Sequence, residues 1–447
     1  METILFFPAY AYGHINRCFK LARDLQEEYR VIFACPLKYK DYIIGNGFLF
    51  QPLSLQFSNV NNEEVNLTAF LKHYVRLLKK PEIKYQRKKQ FQDEILFFES
   101  VIKDINPVVV FLDIFLSHYF PLLKYYQIKC ICFQVYVSTH QTNNNFPLNT
   151  TRLPESNMFG RFCSWFLWKK YFLKVHLNAK IVRYLSGNTD NLSLFRKLWE
   201  EMNLIESELF DSKRAFFPGV KNVPELILSP LSFDFPGTKP RAFQVHMGMQ
   251  MFERRKEDSL DRLFEKKYNT IKEKDIIFCS FGTLSFVHNK NLYKLVSLIA
   301  HLAEKVFTRY EFIFSVPLEM HFINSQLPNI HFFERVPQQQ ILKRCTLFIT
   351  HGGINSIMEG IHFEVPMLVC PLNTKWDQPG NAARVENHQF GLKLIPEKEK
   401  ERAVKDKLNL LLEKRDFFKE NIRVYKENII EDEVKFSKIM INRVLQG

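Results

Sequence analysis

The feature that most constrains this chain is an apolar strand that runs directly into a glycine-rich turn and then a helix. Residues 347–350, Leu-Phe-Ile-Thr, predict a short buried strand. His351-Gly352-Gly353 follows as a turn, and the N-cap residue types Asn355 and Ser356 precede a helix through Glu359. The glycines let a ligand approach the backbone, and the unpaired N–H groups of a helix N-terminus attract anions. This unit is therefore a candidate diphosphate-binding site. The alternative is an ordinary αβ crossover with a tight turn, which the His-Gly-Gly turn taken alone would favour.

The beginning of the chain has the same alternation of strand and helix. Apolar residues predict strands at Ile4 to Phe7 and at Val31 to Cys35, with a helix from about Ile15 to Tyr29 between them. Such a βαβ unit is typical of a parallel, doubly wound sheet. A second run of βα units begins at Ile276, and 447 residues exceed one ordinary domain. The sequence thus predicts an α/β protein with two such domains.

Two ionisable residues in the first half follow predicted strands. His14 lies in the turn after the first strand, at a helix N-terminus, where the helix dipole disfavours imidazolium. Asp113 ends the buried run from Val108 to Leu112, so its carboxylate points to the edge where parallel sheets bind ligands. If the two meet, Asp113 orients the imidazole and stabilises its charged form. The alternatives are a surface or capping histidine and an aspartate that caps the next helix.

A longer series of motifs resembles a known family. Pro337-Gln338, His351-Gly352-Gly353, Asn355-Ser356, Glu359, Val365-Pro366, Pro371 and Asp377-Gln378 occur in that order. The series resembles the donor-binding signature of the family 1 nucleotide-sugar glycosyltransferases, which include plant secondary-product enzymes and bacterial macrolide and carotenoid glycosyltransferases. Gly13-His14-Ile15-Asn16 resembles their N-terminal motif, although Arg17 stands where the family usually has proline.

The resemblance implies a GT-B fold, in which two Rossmann-like domains face each other across a cleft. The expected units are an acceptor-binding domain over residues 1–240, a donor-binding domain over 241–425, and a final helix over 426–447 that returns to the first domain. The resemblance further implies an inverting, metal-independent transfer of a hexose from a UDP- or TDP-sugar to a hydroxyl of a small lipophilic acceptor. The nucleotide sugar is a co-substrate, and no cofactor is expected.

The resemblance also assigns roles to residues. His14 is the catalytic base and Asp113 is its partner. Glu359 is expected to hold the ribose hydroxyls, and Asp377 and Gln378 the sugar hydroxyls. Arg335 stands where the family often has a tryptophan that stacks on uracil. The remaining donor-binding residues are Thr283, Val336, Gln338, His351, Gly353, Asn355 and Ser356.

Other functions remain open from the sequence. One alternative is a glycolipid glycosyltransferase at the membrane, and another is a non-catalytic protein that binds a nucleotide sugar on the same fold. An epimerase on this fold would need further acidic groups at the cleft, and none stands out in the sequence.

The charge of the chain is consistent with anionic partners and equally with a solvated basic surface. Lys and Arg number 62 against 48 acidic residues, which gives a net charge of +14. This excess suits nucleotide ligands or an acidic membrane surface, and no zinc finger or RNP motif supports nucleic-acid binding. With no apolar run of transmembrane length and no signal peptide, we expect a cytoplasmic enzyme, with peripheral contact to the inner membrane face as the alternative.

A basic, aromatic-rich helix is predicted from Phe159 to Leu185. A packed core helix is the first expectation, and a membrane-surface helix is the alternative, because basic residues are interleaved with Trp165 and Trp168.

Overall fold

The protein is described here as a computed structural model, which covers residues 1–58, 80–142, 145–155, 157–253, 264–282, 290–320 and 327–429. Two predictions fall outside these ranges. Thr283 is one of them, and most of the expected last helix, from residue 430 onward, is the other.

The first sheet has seven strands, all parallel, in the order β3-β2-β1-β4-β5-β8-β9. The strands are β1 (Thr3–Phe7), β2 (Arg30–Cys35), β3 (Leu49–Pro52), β4 (Val109–Asp113), β5 (Cys130–Gln134), β8 (Glu225–Ile227) and β9 (Gln244–His246). A separate antiparallel pair is formed by β6 (Phe210–Asp211) and β7 (Gly219–Val220). The chain order reverses beside β1, between β1 and β4, which is the switch point where open α/β sheets bind ligands.

The second sheet has six parallel strands in the order β12-β11-β10-β13-β14-β15. They are β10 (Ile276–Ser280), β11 (Glu311–Ser315), β12 (Ile330–Phe333), β13 (Cys345–Thr350), β14 (Met367–Val369) and β15 (Gly391–Lys393). Here the order reverses between β10 and β13, so the predicted glycine-rich turn after β13 also lies at a switch point. The mixed fold class and its two parallel doubly wound sheets are confirmed.

Helices cover the faces of the two sheets. The α-helices are α1 (Tyr12–Leu25), α2 (Lys40–Gly45), α3 (Pro81–Ile105), α4 (Phe120–Tyr125), α5 (Met158–Ser186), α6 (Asn191–Glu201), α7 (Glu206–Leu209), α8 (Phe264–Ile271), α9 (Lys290–Lys305), α10 (Gln338–Leu342), α11 (Ile354–His362), α12 (Gln378–Asn387) and α13 (Glu401–Glu413). Residues 415–429 are also helical. Successive residues of β10 alternate between two buried clusters, with Phe278 in one and Cys279 in the other. Such a strand reads as a continuous apolar run because both of its faces are covered.

Two sequence predictions differ from the structure. The expected domain boundary at residue 240 falls before β9, which pairs in parallel with β8, so the first sheet extends to His246. The expected core helix, α5, is exposed along most of its length, with only Gly160, Ser164, Trp168 and Ser186 buried. The apolar content of α5 suggested burial, but most of its large apolar side chains are exposed, and Trp168 is the buried exception.

A buried ion pair joins the two halves of the chain. Arg384 on α12 donates from Nη2 to Asp234 Oδ1 at 2.5 Å and from Nε to the same oxygen at 3.1 Å. Asp234 lies between β8 and β9 of the first sheet, and both side chains are at most 1% exposed. Nearby, Ser232 donates to Tyr425 Oη at 3.1 Å, so the last described helix also contacts the first half.

Replacing Arg384 by methionine should destabilise the protein by about 3–5 kcal/mol, because it leaves the buried Asp234 carboxylate without its partner. Urea-induced unfolding measures the change. The double variant D234N/R384M removes both charges and should lose clearly less. If the single and double variants lose the same free energy of unfolding, the effect comes from packing and not from the unpaired charge.

Candidate functional site

The site begins with a histidine held by a buried aspartate. His14 lies in the first turn of α1, and its Nδ1 is 2.6 Å from Asp113 Oδ2 at the end of β4. That oxygen also accepts from the Ala9 backbone N–H at 3.0 Å. Because a carboxylate can only accept, Nδ1 carries the proton and Nε2 remains as the basic nitrogen. The structure thus brings together the two residues that the sequence predicted.

Asp113 has a second role that the sequence analysis treated as an alternative. Its Oδ1 accepts from the Phe115 backbone N–H at 3.1 Å and caps the 3₁₀ turn from Ile114 to Tyr119. The aspartate is fully buried, and both carboxylate oxygens are engaged. Its orientation is therefore fixed before any ligand binds, and with it the plane of the His14 ring.

Aromatic side chains surround the histidine. The rings of Phe115 and Tyr136 lie 4.7 and 5.8 Å from the His14 ring, both edge-on. The ring centre of Phe217 lies 3.9 Å from that of Phe115. The ring centre of Trp376, from the second half, lies 5.7 Å from that of Phe115. Phe216 completes this aromatic cluster at 5.0 Å from Trp376. None of these five residues was predicted from the sequence.

One member of the aromatic cluster has an unusual backbone. Phe216 has φ of +70°, in the left-handed region that non-glycine residues seldom adopt. Its backbone N–H donates to Tyr171 Oη on α5 at 2.8 Å. Such a conformation persists only when its surroundings hold it, and it is commonest at ligand sites.

The glycine-rich turn presents an open helix N-terminus. After β13, Gly352 has φ of +89°, and α11 begins at Ile354 with Gly353 as its N-cap. Asn355 and Ser356 therefore lie inside the first turn and are not the cap, contrary to the sequence prediction. Because glycine has no side chain, no side-chain hydrogen bond caps this helix. Its first N–H groups are thus left for another acceptor.

His351 fits between two glycines. A Cβ at Gly282 would lie 2.7 Å from its Cε1, and one at Gly353 would lie 2.7 Å from its Nε2. Burial lowers the pKa of His351 to about 4, so the ring is neutral near pH 7. Its Nδ1 has no hydrogen-bond partner among the described residues. A buried, unpaired ring nitrogen beside an open helix N-terminus is suited to a polar ligand.

Three more of the predicted donor-site residues contact one another. Gln338 Nε2 donates to Glu359 Oε2 at 2.6 Å and lies 3.4 Å from Ser356 Oγ. Ser280 Oγ at the end of β10 donates to Gln338 Oε1 at 3.1 Å. Val336, two residues before Gln338, is buried. These contacts orient the Glu359 carboxylate at the edge of the cleft.

Arg335 has a partner in the other half of the chain. Its guanidinium carbon lies 5.4 Å from the centre of the Tyr12 ring, at the start of α1. The sequence analysis expected this planar group to replace a tryptophan beside the nucleobase. Here it stacks on an aromatic ring from the first half, which is a cation–π contact across the cleft.

The two helix N-termini meet directly. Asn355, in the first turn of α11, donates from Nδ2 to the carbonyl oxygen of Gly13 at 2.7 Å. Gly13 immediately precedes His14, so the open end of α11 faces the end of α1 that carries the histidine. The nitrogen of Asn355, predicted as a donor to the ligand, is thus engaged across the cleft.

Asp377 and Gln378 lie at the start of α12, beside the same turn. Asn381 links Asp377 to the glycine-rich turn. Its Nδ2 donates to Asp377 Oδ2 at 2.6 Å and to the Gly352 carbonyl oxygen at 3.0 Å. Gln378 Oε1 accepts from the backbone N–H groups of Leu372 and Asn373 at 2.9 and 2.8 Å. Gln378 therefore keeps only its amide N–H donors for a ligand, and Asp377 its carboxylate.

Comparison with known families identifies the chain. The family model described as UDP-glucoronosyl and UDP-glucosyl transferase matches residues 188–432, more than half of the sequence. The chain belongs to this family. The match includes the glycine-rich turn and Asp377-Gln378 but begins after His14 and Asp113, which the sequence placed in the family by motif alone.

Curated relatives of this transferase family align over shorter segments. The chain is 30% identical over 155 residues to an uncharacterized UDP-glucosyltransferase, YojK, of Bacillus subtilis, covering 34% of this chain and 36% of that protein. It is 46% identical over 69 residues to the NDP-glycosyltransferase YjiC of Bacillus licheniformis, covering 15% and 17%. The alignments thus span about a third or less of these relatives.

Solved structures share the architecture over the whole length. The glycotransferase of kitacinnamycin matches with a TM-score of 0.65 at 17% identity, covering 99% of this chain and 98% of that one. The glycosyltransferase VinC in complex with DTDP matches with a TM-score of 0.61 at 13% identity, covering 99% and 98%. At such identities the likeness shows the fold, and the fold is the GT-B arrangement that the sequence predicted.

Substitution of Asp377 by asparagine tests the electrostatics of this family member's cleft. Burial raises the pKa of Asp377 from 3.8 to about 6. The folded state thus holds the proton more tightly than the unfolded state. This contribution to stability is fully present below about pH 4 and is lost as the pH rises through about 6. Asparagine does not titrate, so only the native chain loses stability between about pH 4 and pH 6. The difference in free energy of unfolding, D377N minus the native chain, should therefore increase by about 3 kcal/mol over that range. Urea unfolding at each pH measures it, and a constant difference would contradict the assignment.

Proposed function

We propose that this protein is an inverting, metal-independent hexosyltransferase that moves a sugar from a UDP- or TDP-sugar to a hydroxyl group of a small lipophilic acceptor. The observation that carries the proposal is the hydrogen bond from Asn355 to Gly13, which sets the His14–Asp113 pair opposite the open end of α11. Relatives named as UDP-glucosyltransferase and NDP-glycosyltransferase support nucleotide-sugar donors, and the DTDP complex of VinC supports thymidine nucleotides.

The first requirement of the reaction is a base for the acceptor hydroxyl. His14 Nε2 takes this proton as the oxygen attacks the anomeric carbon, while Nδ1 keeps its hydrogen bond to Asp113. The imidazolium that forms is stabilised by the buried carboxylate, which remains ionised. Asp113 acts by orientation and charge and does not need to accept the proton.

The second requirement is stabilisation of the leaving diphosphate. The N–H groups in the first turn of α11 lie at an end without a side-chain cap, and the helix dipole favours negative charge there. His351 lies beside this end and is neutral because burial lowers its pKa to about 4, so it brings no formal charge. Such preorganised donors are suited to charge that develops in the transition state. This arrangement supports catalysis without a metal ion.

The third requirement is orientation of the sugar and the nucleoside. Glu359, held by Gln338, binds the ribose hydroxyls, and Val336 lines the nucleobase pocket. Asp377 and the amide N–H groups of Gln378 bind sugar hydroxyls. With the donor held from one side and His14 on the other, the acceptor attacks from the face opposite the diphosphate, which inverts the anomeric carbon.

The acceptor class follows from the aromatic cluster. Five aromatic side chains from both halves of the chain pack together beside His14: Phe115, Tyr136, Phe216, Phe217 and Trp376. Apolar and aromatic walls with one polar group are typical of sites for lipophilic small molecules. These walls support an acceptor with a large apolar body and a hydroxyl group that reaches His14.

Replacing His14 by alanine should lower kcat/KM for transfer by about a hundred- to ten-thousandfold, the usual contribution of a positioned base. Binding of the UDP-sugar, measured by titration calorimetry, should be retained. The exposed His301 on α9 provides the matched control, because H301A should leave both quantities unchanged. Unchanged transfer in H14A would exclude His14 as the base. No transfer by the native chain with any acceptor, despite donor binding, would favour the non-catalytic alternative.

The stereochemistry of the product tests the geometry of attack. With an α-linked UDP-sugar and EDTA in the buffer, we expect a β-linked product, identified by the proton coupling constant at the anomeric carbon in an NMR spectrum. A retained α configuration would contradict direct attack by the acceptor. Loss of transfer that added Mg²⁺ restores would contradict metal independence.

A further inference from the structure

The face of α5 that points away from the protein is mainly apolar, with the exposed Lys170 among its apolar side chains. Seven of its side chains recur at intervals of three, four or seven residues and so share one side of the helix. Each is between 49% and 81% exposed, and they are Phe159, Phe162, Phe166, Leu173, Leu177, Ile181 and Tyr184. We call this surface the outer face of α5. A surface helix of a globular protein ordinarily turns its apolar side inward, so this helix has the opposite arrangement.

The inner face of α5 explains why the helix nevertheless stays on the protein. Trp168 donates from Nε1 to the carbonyl oxygen of Asn145 at 3.0 Å, and Ser164 donates to the same oxygen at 2.5 Å. Tyr171 Oη accepts from the backbone N–H of Phe216 at 2.8 Å. A few polar contacts and one buried tryptophan thus hold the inner face. The apolar residues of the outer face contribute little to this attachment, and their exposure is unfavourable in water.

The charges on α5 indicate what covers the outer face. The helix carries Arg161, Lys169, Lys170, Lys174, Lys180 and Arg183, all exposed, and its 29 residues include no acidic residue. Beside its C-terminal end, Arg87 of α3 donates to the carbonyl oxygen of Thr189 at 2.7 Å, and the next residues, Lys88 and Lys89, are exposed. Lysine and arginine around an aromatic, apolar stripe match the chemistry of an anionic lipid surface.

We propose that α5 is an interfacial helix and that its outer face docks this protein on an anionic phospholipid membrane. The helix lies in the plane of the interface, with its phenylalanine and leucine side chains below the headgroups and its lysines at the phosphates. No helix in the described part of the chain combines the length and the hydropathy needed to span a bilayer. The proposal is independent of the transfer reaction, because it concerns a surface that contains none of the residues assigned to transfer.

The same helix has a structural connection to the acceptor site. Tyr171 contacts the backbone of Phe216, and the Phe216 ring packs against Trp376 in the aromatic cluster. The helix that would lie on the lipid thus supports a wall of the pocket for the lipophilic acceptor. A membrane contact at α5 would bring that wall close to the phase in which apolar acceptors concentrate.

The test is co-sedimentation of the full chain with vesicles of phosphatidylcholine alone or with about one third phosphatidylglycerol, at about 50 and about 500 mM NaCl. We expect binding to the anionic vesicles at low salt, with much weaker binding at high salt or to phosphatidylcholine. Each lysine near an anionic surface contributes about fivefold, so K169Q/K170Q/K174Q should weaken binding by about a hundredfold. F162S/F166S should weaken it by about tenfold or more.

The matched control is K405Q/K414Q/K419Q, which removes the same charge from exposed lysines of the second half and should leave vesicle binding within about twofold. Circular dichroism and UDP-sugar binding verify that each variant is folded. Absence of binding by the native chain to anionic vesicles at low salt would overturn the proposal. An equal loss of vesicle binding in the control variant would also overturn it. So would light scattering that shows a dimer of the native chain, dissociated by F162S/F166S, when no vesicle binding is seen.

Discussion

The hydrogen bond from Asn355 to the carbonyl oxygen of Gly13 is the contact on which the site depends. Each sheet alone would provide half of a site at the carboxyl ends of its strands, since that is where parallel α/β sheets present their loops. The bond makes the first turns of α1 and α11 neighbours, so that His14 lies opposite the open N-terminus of α11. It also restricts position 13, because a Cβ there would lie 3.2 Å from Asn355 Nδ2. The Arg335–Tyr12 contact crosses the same gap and reinforces the alignment.

Much of the fold could be predicted because both sheets are parallel and covered on two faces. Strands such as β4 and β13 are continuous apolar runs, which stand out between polar loops, and the structure places them within about two residues of the prediction. The strand β9 was missed for a physical reason. It has three residues next to a proline-rich stretch, so it is too short to show a pattern, and its place in the sheet comes from pairing with β8.

The site was predictable where one segment carries several of its residues. The turn from His351 to Glu359 and the pair Asp377-Gln378 are local patterns, and the resemblance identified both. The aromatic cluster could not be found in this way, because Phe115, Tyr136, Phe216 and Trp376 come from four separate segments that only the folded chain brings together. The N-cap was mispredicted because asparagine is a common capping residue. In the structure the Asn355 side chain instead donates to the carbonyl oxygen of Gly13 in the other half of the chain. Likewise α5 was expected to be buried because its composition is apolar, while exposure depends on which neighbours the fold supplies.

Two pKa shifts in the cleft have the same physical cause. Burial lowers the pKa of His351 to about 4 and raises that of Asp377 to about 6, so in both residues the environment opposes charge. Near neutral pH, His351 is thus uncharged, and the backbone of α11 offers dipoles. Dipoles bind a diffuse ground-state diphosphate less tightly than a lysine or arginine would, yet they respond to charge that grows on the bridging oxygen as the sugar leaves. Under the transfer mechanism proposed above, such dipoles favour the transition state over both the bound donor and the released nucleotide.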